Sequence, residues 1–152
     1  THLEGRTALV IGAGGAARGV VYALLSHGAT VVLTNRTLER ARVLAAEVGT
    51  VAERAGAVQV CEETATISGP FDIVVQTTSV GMHGNGDPAP CYRFDGSETA
   101  FDVVYTPPVT PFLERAVAAG CTVIQGDVMF DFQAAAQYAL YSDLAVTASG
   151  GV

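Results

Sequence analysis

Residues 12–17 read Gly-Ala-Gly-Gly-Ala-Ala, which fits G-x-G-x-x-[G/A], and the chemistry such a run can do is to hold a pyrophosphate. Gly12 permits a tight turn, Gly14 lets the backbone approach a phosphate, and small Ala17 lets the next helix pack close to the preceding strand. The helix that follows offers unpaired N–H groups and a dipole at its amino end, which favour an anion. Taken alone, the run is also compatible with a bare strand-to-helix turn, so its setting decides.

A second group bears on which dinucleotide the turn would serve. Domains that bind NAD ordinarily end their second strand on Asp or Glu, bonded to the ribose 2′-hydroxyl. Here the strand ends Leu33-Thr34-Asn35-Arg36-Thr37, with no acid before Glu39. A carboxylate there would repel a 2′-phosphate, whereas a guanidinium binds it in two-point geometry and can lie on the adenine face. Arg40, four residues after Arg36, is expected on the same helical face as a second positive charge. The residues favour NADP over NAD.

These side chains need a scaffold, and the apolar runs supply one. Thr7–Ile11, Thr30–Thr34, Ala57–Val60, Phe71–Val75, Ala100–Val104 and Thr122–Ile124 read as strands. Between them, Arg18–His27, Leu38–Val48 and Thr110/Pro111–Ala119 read as helices, and Val128–Leu144 as a last one. Gly28 stops the first helix, Thr37 is placed to cap the second, and Thr110 with Pro111 opens the third. Residues 81–96 are a loop rich in Gly, Pro, Asn and Asp. Strands alternating with helices predict a doubly wound α/β domain over residues 1–152, its six-stranded parallel sheet ordered 3-2-1-4-5-6.

Composition narrows the function. Hydrophobic residues make up 49% of 152 and charged residues 15%, which excludes a disordered chain and implies a largely buried sheet. The net charge is −7, which argues against a nucleic-acid or anionic-membrane surface, and no apolar run approaches a membrane span. All eight basic residues are arginine, so no lysine is available as acid, base or Schiff-base former. Cys61, Cys91 and Cys121 are widely spaced, which predicts buried thiols rather than a disulfide framework, and no histidine has a partner at metal-ligand spacing. Without an initial Met or a leader, the chain is expected to be an excised segment, and Thr147–Val152 a tail.

The motifs together resemble shikimate dehydrogenases, in the C-terminal NADP-binding domain of that family. The matching stretches are Gly12–Ala16, Asn35-Arg36-Thr37 with Arg40, Thr77-Thr78-Ser79-Val80-Gly81-Met82, Asp102-Val103-Val104-Tyr105, Thr110–Leu113, and Met129-Phe130 with Gln133-Ala134. The Thr77–Met82 and Val104–Pro107 stretches look especially like the plant-type bifunctional dehydroquinate dehydratase–shikimate dehydrogenase.

The resemblance implies that Gly12, Ala13, Gly14, Gly15 and Ala16 hold the pyrophosphate, and that Asn35, Arg36, Thr37 and Arg40 hold the adenosine 2′-phosphate. It implies that Thr77, Thr78, Ser79, Val80, Gly81 and Met82 line the nicotinamide ribose and ring. Val103, Gly126 and Met129 would shape the nicotinamide pocket, and Tyr105 and Gln133 would touch the small-molecule substrate. The family's lysine and aspartate for proton transfer belong to a substrate-binding half expected before this domain, so no catalytic residue is assigned here. Asp102 is expected to serve nearby backbone rather than chemistry. The implied reaction is NADPH-dependent reduction of 3-dehydroshikimate to shikimate in the cytoplasm, or in the plastid stroma of a plant. A quinate dehydrogenase and a non-catalytic nucleotide-binding regulator are the alternatives.

Overall fold

The computed structural model describes residues 2–53, 57–62, 67 and 69–149, the last seven by backbone alone. Its chain order is β1 (Thr7–Ile11), α1 (Gly15–Ser26), β2 (Thr30–Thr34), α2 (Leu38–Val51), β3 (Val58–Cys61), β4 (Ile73–Gln76), β5 (Thr99–Asp102), α3 (Pro111–Ala119), β6 (Thr122–Ile124) and α4 (Gly126–Ser149). All six strands pair in parallel in the order β3-β2-β1-β4-β5-β6, as the sequence predicts.

β1 lies at the centre, and the alternation of its side chains feeds two cores. Ala8 and Val10 face α1 and α2, packing with Val21, Leu25, Leu33 and Leu44. Leu9 and Ile11 face the other way, toward Phe112, Leu113 and Ala116 of α3 and the buried Tyr92 of the 81–96 loop. Arg115 holds that loop down. Its guanidinium bonds Asp87 at 2.6 Å and the carbonyls of Tyr92 and Ala89 at 2.6 and 2.8 Å.

Several boundaries move, each for a local reason. α1 begins at Gly15 rather than Arg18, because Gly15, Ala16 and Ala17 form its first turn. α2 runs to Val51 rather than Val48, and Thr37 occupies its N-cap position without a side-chain cap bond. β5 stops at Asp102 rather than Val104, since the Asp102 carboxylate accepts the Val104 N–H at 2.8 Å and turns the chain. α3 matches its prediction: Thr110 Oγ1 accepts from Leu113 N, Pro111 follows, and Gly120 ends the helix at φ +90°. α4 starts earlier and runs longer than predicted, from Gly126 through Ser149, because neither Gly nor Pro interrupts 127–149. Of the expected tail, only residues 150–152 lie outside the described residues.

Among the described residues no helix is long and apolar enough to cross a membrane. The cysteines correct their prediction. No disulfide joins them, yet none is buried: Cys91 is exposed, and Cys61 and Cys121 are intermediate. Cys121 donates to the buried Glu98 carboxylate at 3.3 Å, and partial burial with that neighbour pushes its thiol up to about 11. Near neutral pH it is a thiol, not the nucleophilic thiolate. Iodoacetamide treatment of the folded chain followed by peptide mass spectrometry should therefore show Cys91 modified well before Cys121.

Candidate dinucleotide site

The site forms at the carboxyl edge of the sheet, where the ends of β2, β1 and β4 are bonded together. Gly12 N–H donates to Thr34 O at 2.8 Å, and Ile11 O accepts from both the N–H and the hydroxyl of Thr77 at 2.8 Å. This closeness makes glycine obligatory at position 12. Its φ is +114°, and an added Cβ would lie 2.5 Å from Thr77 Oγ1.

Gly14 has a different reason to be glycine. Its φ of −98° suits any residue, and an added Cβ would meet no protein atom within 4 Å. The fold leaves that space open, as close approach of a ligand requires. Gly14 is also the N-cap of α1 and supplies no side-chain cap, so the first-turn amides of the helix face outward without a side-chain acceptor. An NADP pyrophosphate therefore fits this turn.

The glycine turn borders two clefts. One, of about 410 Å³, brings Gly12 together with Asn35, Arg36 and Thr78-Ser79-Val80. The other, of about 360 Å³, sets Ala13, Gly14 and Gly15 against Arg18 and Arg40. Arg36 lines the first cleft and Arg40 the second.

The ion pairing of the arginines sets these two apart. Of the seven arginines described, Arg6, Arg18, Arg42 and Arg115 form ion pairs with Asp72, Glu47, Glu62 and Asp87. Arg36 and Arg40 form none, although both are exposed; Arg93, away from these clefts, is the third without a pair. Asp87 also lines the Arg36 cleft, but Arg115 balances its charge at 2.6 Å. Asn35 Nδ2 donates to Thr37 O at 2.8 Å, shaping the turn that carries Arg36. The Thr37 hydroxyl makes no cap bond, so α2 adds a second helix amino end without a side-chain acceptor.

The other expected residues lie outside the two clefts. Gly81, at φ +95°, packs on Thr110, which an added Cβ would approach to 3.3 Å. Met82 is exposed beyond it. Gly126 is buried where α4 abuts the chain after β5; a Cβ there would sit 2.7 Å from Val103 O and 2.6 Å from Val104 O. Val103 and Met129 are half-buried beside this junction in sequence. Tyr105 is 53% exposed and its ring stands 5.6 Å from that of Phe130, tilted by 30°. Gln133 is exposed three residues further along α4, on the Phe130 side of the helix.

Asp102 behaves as expected. It is fully buried and spends both oxygens on structure, one on Val104 N–H and the other on the Thr110 hydroxyl at 2.6 Å. Burial raises its carboxyl above the usual range, with these two bonds opposing the shift. One residue that sequence reasoning missed is Gln76, fully buried beside Asp102 in the sheet register. The signal was a carboxamide ending an apolar run, Ile73-Val74-Val75-Gln76.

A parallel sheet in this order, with a glycine turn between its central strand and first helix, defines a Rossmann-like dinucleotide-binding domain. Residues 1–82 match the model of the shikimate/quinate 5-dehydrogenase family, and the chain belongs to that family. It is 36% identical over 151 residues to shikimate dehydrogenase (NADP(+)) of Archaeoglobus fulgidus, covering 95% of this chain and 54% of the relative. Among solved structures it resembles Thermus thermophilus shikimate 5-dehydrogenase in complex with NADP(H) and shikimate, with 34% identity and a TM-score of 0.78, over 93% of this chain and 50% of that one. It also resembles Corynebacterium glutamicum quinate dehydrogenase in complex with NAD, with 28% identity and a TM-score of 0.70, over 80% of this chain and 44% of that one. The chain spans about half the length of the relatives it matches.

Two substitutions separate the duties of the glycines. Gly12→Ala should lower the thermal midpoint by several degrees or prevent folding, as strain and overlap together cost about 2 kcal/mol or more. Gly14→Ala should leave that midpoint nearly unchanged while weakening dinucleotide binding, read by calorimetric titration.

Proposed function

We propose that this chain is the NADP(H)-binding half of a dehydrogenase that reduces 3-dehydroshikimate to shikimate. The observation that carries the reading is the pair of unpaired arginines, Arg36 and Arg40, in the clefts that border an open glycine turn. An NADP lying along residues 12–15 would meet the first-turn amides of α1 at its pyrophosphate. Arg36, Arg40 and the spare hydroxyl of Thr37 would meet the 2′-phosphate, with Asn35 holding the turn that presents them.

NADPH, when bound, supplies the hydride, and this chain's residues supply position and charge. Thr77 to Met82 would flank the nicotinamide ribose and ring, with Val103, Gly126 and Met129 across the pocket. Tyr105 and Gln133 would contact the substrate hydroxyls. Proton transfer falls to a second half: the chain contains no lysine, and Asp102 is enclosed with both oxygens committed.

That half would precede this domain and also cover α4. Phe130, Phe132, Tyr138, Leu140 and Tyr141 are 56–75% exposed and lie all around the helix, a pattern that belongs in a protein interior. The length of the relatives supplies the chain to cover it. The likeness to the plant-type bifunctional enzyme, and with it a fused dehydratase and a plastid setting, rests on the 77–82 and 104–107 stretches alone. Quinate dehydrogenase is the second reading, since the family model spans both activities; the absence of an acid after β2 favours NADP. A regulator without catalysis is the third, and a lysine–aspartate pair in the other half would exclude it.

Arg36→Ala should weaken NADPH binding about ten- to a hundredfold and NADH binding only about twofold. Equal losses, measured by fluorescence titration, would remove the 2′-phosphate role. The chain by itself should bind NADPH yet give no shikimate-dependent rise in NADPH absorbance. A measurable rise would place the proton-transfer groups here instead.

A further inference from the structure

Gln76 ends β4 with no exposed surface, and its side chain makes three bonds, all to the loop that follows its own strand. Nε2 donates to Val80 O at 2.8 Å and to Thr78 O at 3.2 Å, while Oε1 accepts the Thr78 N–H. The carboxamide therefore commits both hydrogens and one oxygen to residues 78–80. Two further bonds close the loop: Val80 N–H donates to Thr78 Oγ1 at 3.1 Å, and Met82 N–H to Ser79 O at 3.2 Å. Among the described bonds, the amide and hydroxyl of exposed Ser79 have no partner, and Ser79 lies in the cleft with Arg36.

We infer that Gln76 is a positioning residue: it sets the 77–82 loop so that Ser79 presents two donors to the oxygens of a ligand in the Arg36 cleft. The inference rests on the NADP(H) reading for the identity of that ligand. A carboxamide suits the task because the loop asks one buried side chain for donors and an acceptor at once. Glutamate has the same shape but loses the donors when ionised, and its charge would then face the carbonyl oxygens of Thr78 and Val80. Protonated, it regains one donor, which can serve the shorter of the two bonds, that to Val80 O. Burial raises a carboxyl's pKa, so Gln76→Glu converts the loop into a pH-dependent one, competent when protonated and released as pH rises.

The test is NADPH titration of the chain and its Gln76→Glu variant from about pH 5.5 to about pH 8.5, read as the ratio of their dissociation constants. The ratio should be within about threefold at the acid end and grow to about tenfold or more at the alkaline end. A ratio constant across the range would overturn the inference, because general destabilisation has no reason to follow that one proton. Amide hydrogen exchange on the unliganded, unaltered chain gives an independent reading and holds even if the variant does not fold. The Thr78 N–H should exchange about tenfold or more slowly than that of Ser79. Equal rates would mean that Gln76 does not hold the loop. If the unaltered chain binds no NADPH at any pH, the cofactor reading fails, while the exchange result still decides whether Gln76 grips the loop.

Discussion

The arrangement depends on Ile11 and Gly12, where three strand ends are drawn together. The carbonyl of Ile11 takes two bonds from Thr77, and the N–H of Gly12 donates to Thr34. Strands β2, β1 and β4 therefore terminate in register, and the loops after them emerge side by side. A side chain at position 12 would push Thr77 away and part the glycine turn from the 77–82 loop. The same closeness that shapes the turn brings Arg36 and Ser79 into one cleft.

A sheet buried on both faces has few places for polar side chains, because each must find partners without water. Thr34, Gln76, Thr77, Asp102 and Thr110 are all buried, and all cluster at or beside the carboxyl edge. Gln76 and Asp102 are register partners, and each bonds the backbone of the loop after its own strand. No buried side-chain nitrogen or oxygen among the described residues lacks a hydrogen bond. Their burial is repaid in loop geometry, which a ligand site needs and an apolar edge could not specify. Glu98, at the opposite edge, does the same for the 92–96 loop through Tyr92, Asp95 and Gly96.

The domain is closed around its sheet and open along α4. Gly126 fixes the start of that helix against the carbonyls of Val103 and Val104, and the Tyr105–Phe130 contact holds its first turn. Beyond them, residues 131–141 are all exposed, including aromatic side chains on several faces. Tyr105 and Gln133 stand where the covered and uncovered parts meet. The relatives that the chain matches have about twice its length.

The elements legible in the sequence were those that local chemistry decides. β1, β2, β6 and α3 have the bounds that apolar runs and Thr-Pro or Gly punctuation announce, because capping and backbone freedom act over a few residues. The glycine turn and the arginines without a neighbouring acid were equally plain. The start of α1 was less so, since Gly15 reads as loop until its turn closes. That Arg18 is neutralised while Arg36 and Arg40 are not depends on Glu47 arriving from another helix, whereas Arg42 has a local partner in Glu39 as well as the distant Glu62. Gln76 depends on pairing as well, because a carboxamide at the end of an apolar run has no stated duty until its strand is enclosed. The chain's order of residues thus settled the turn, the strands and the supply of positive charge. Only long-range packing decided which charges stay unpaired and which loops are held rigid, because those depend on what burial brings beside each group.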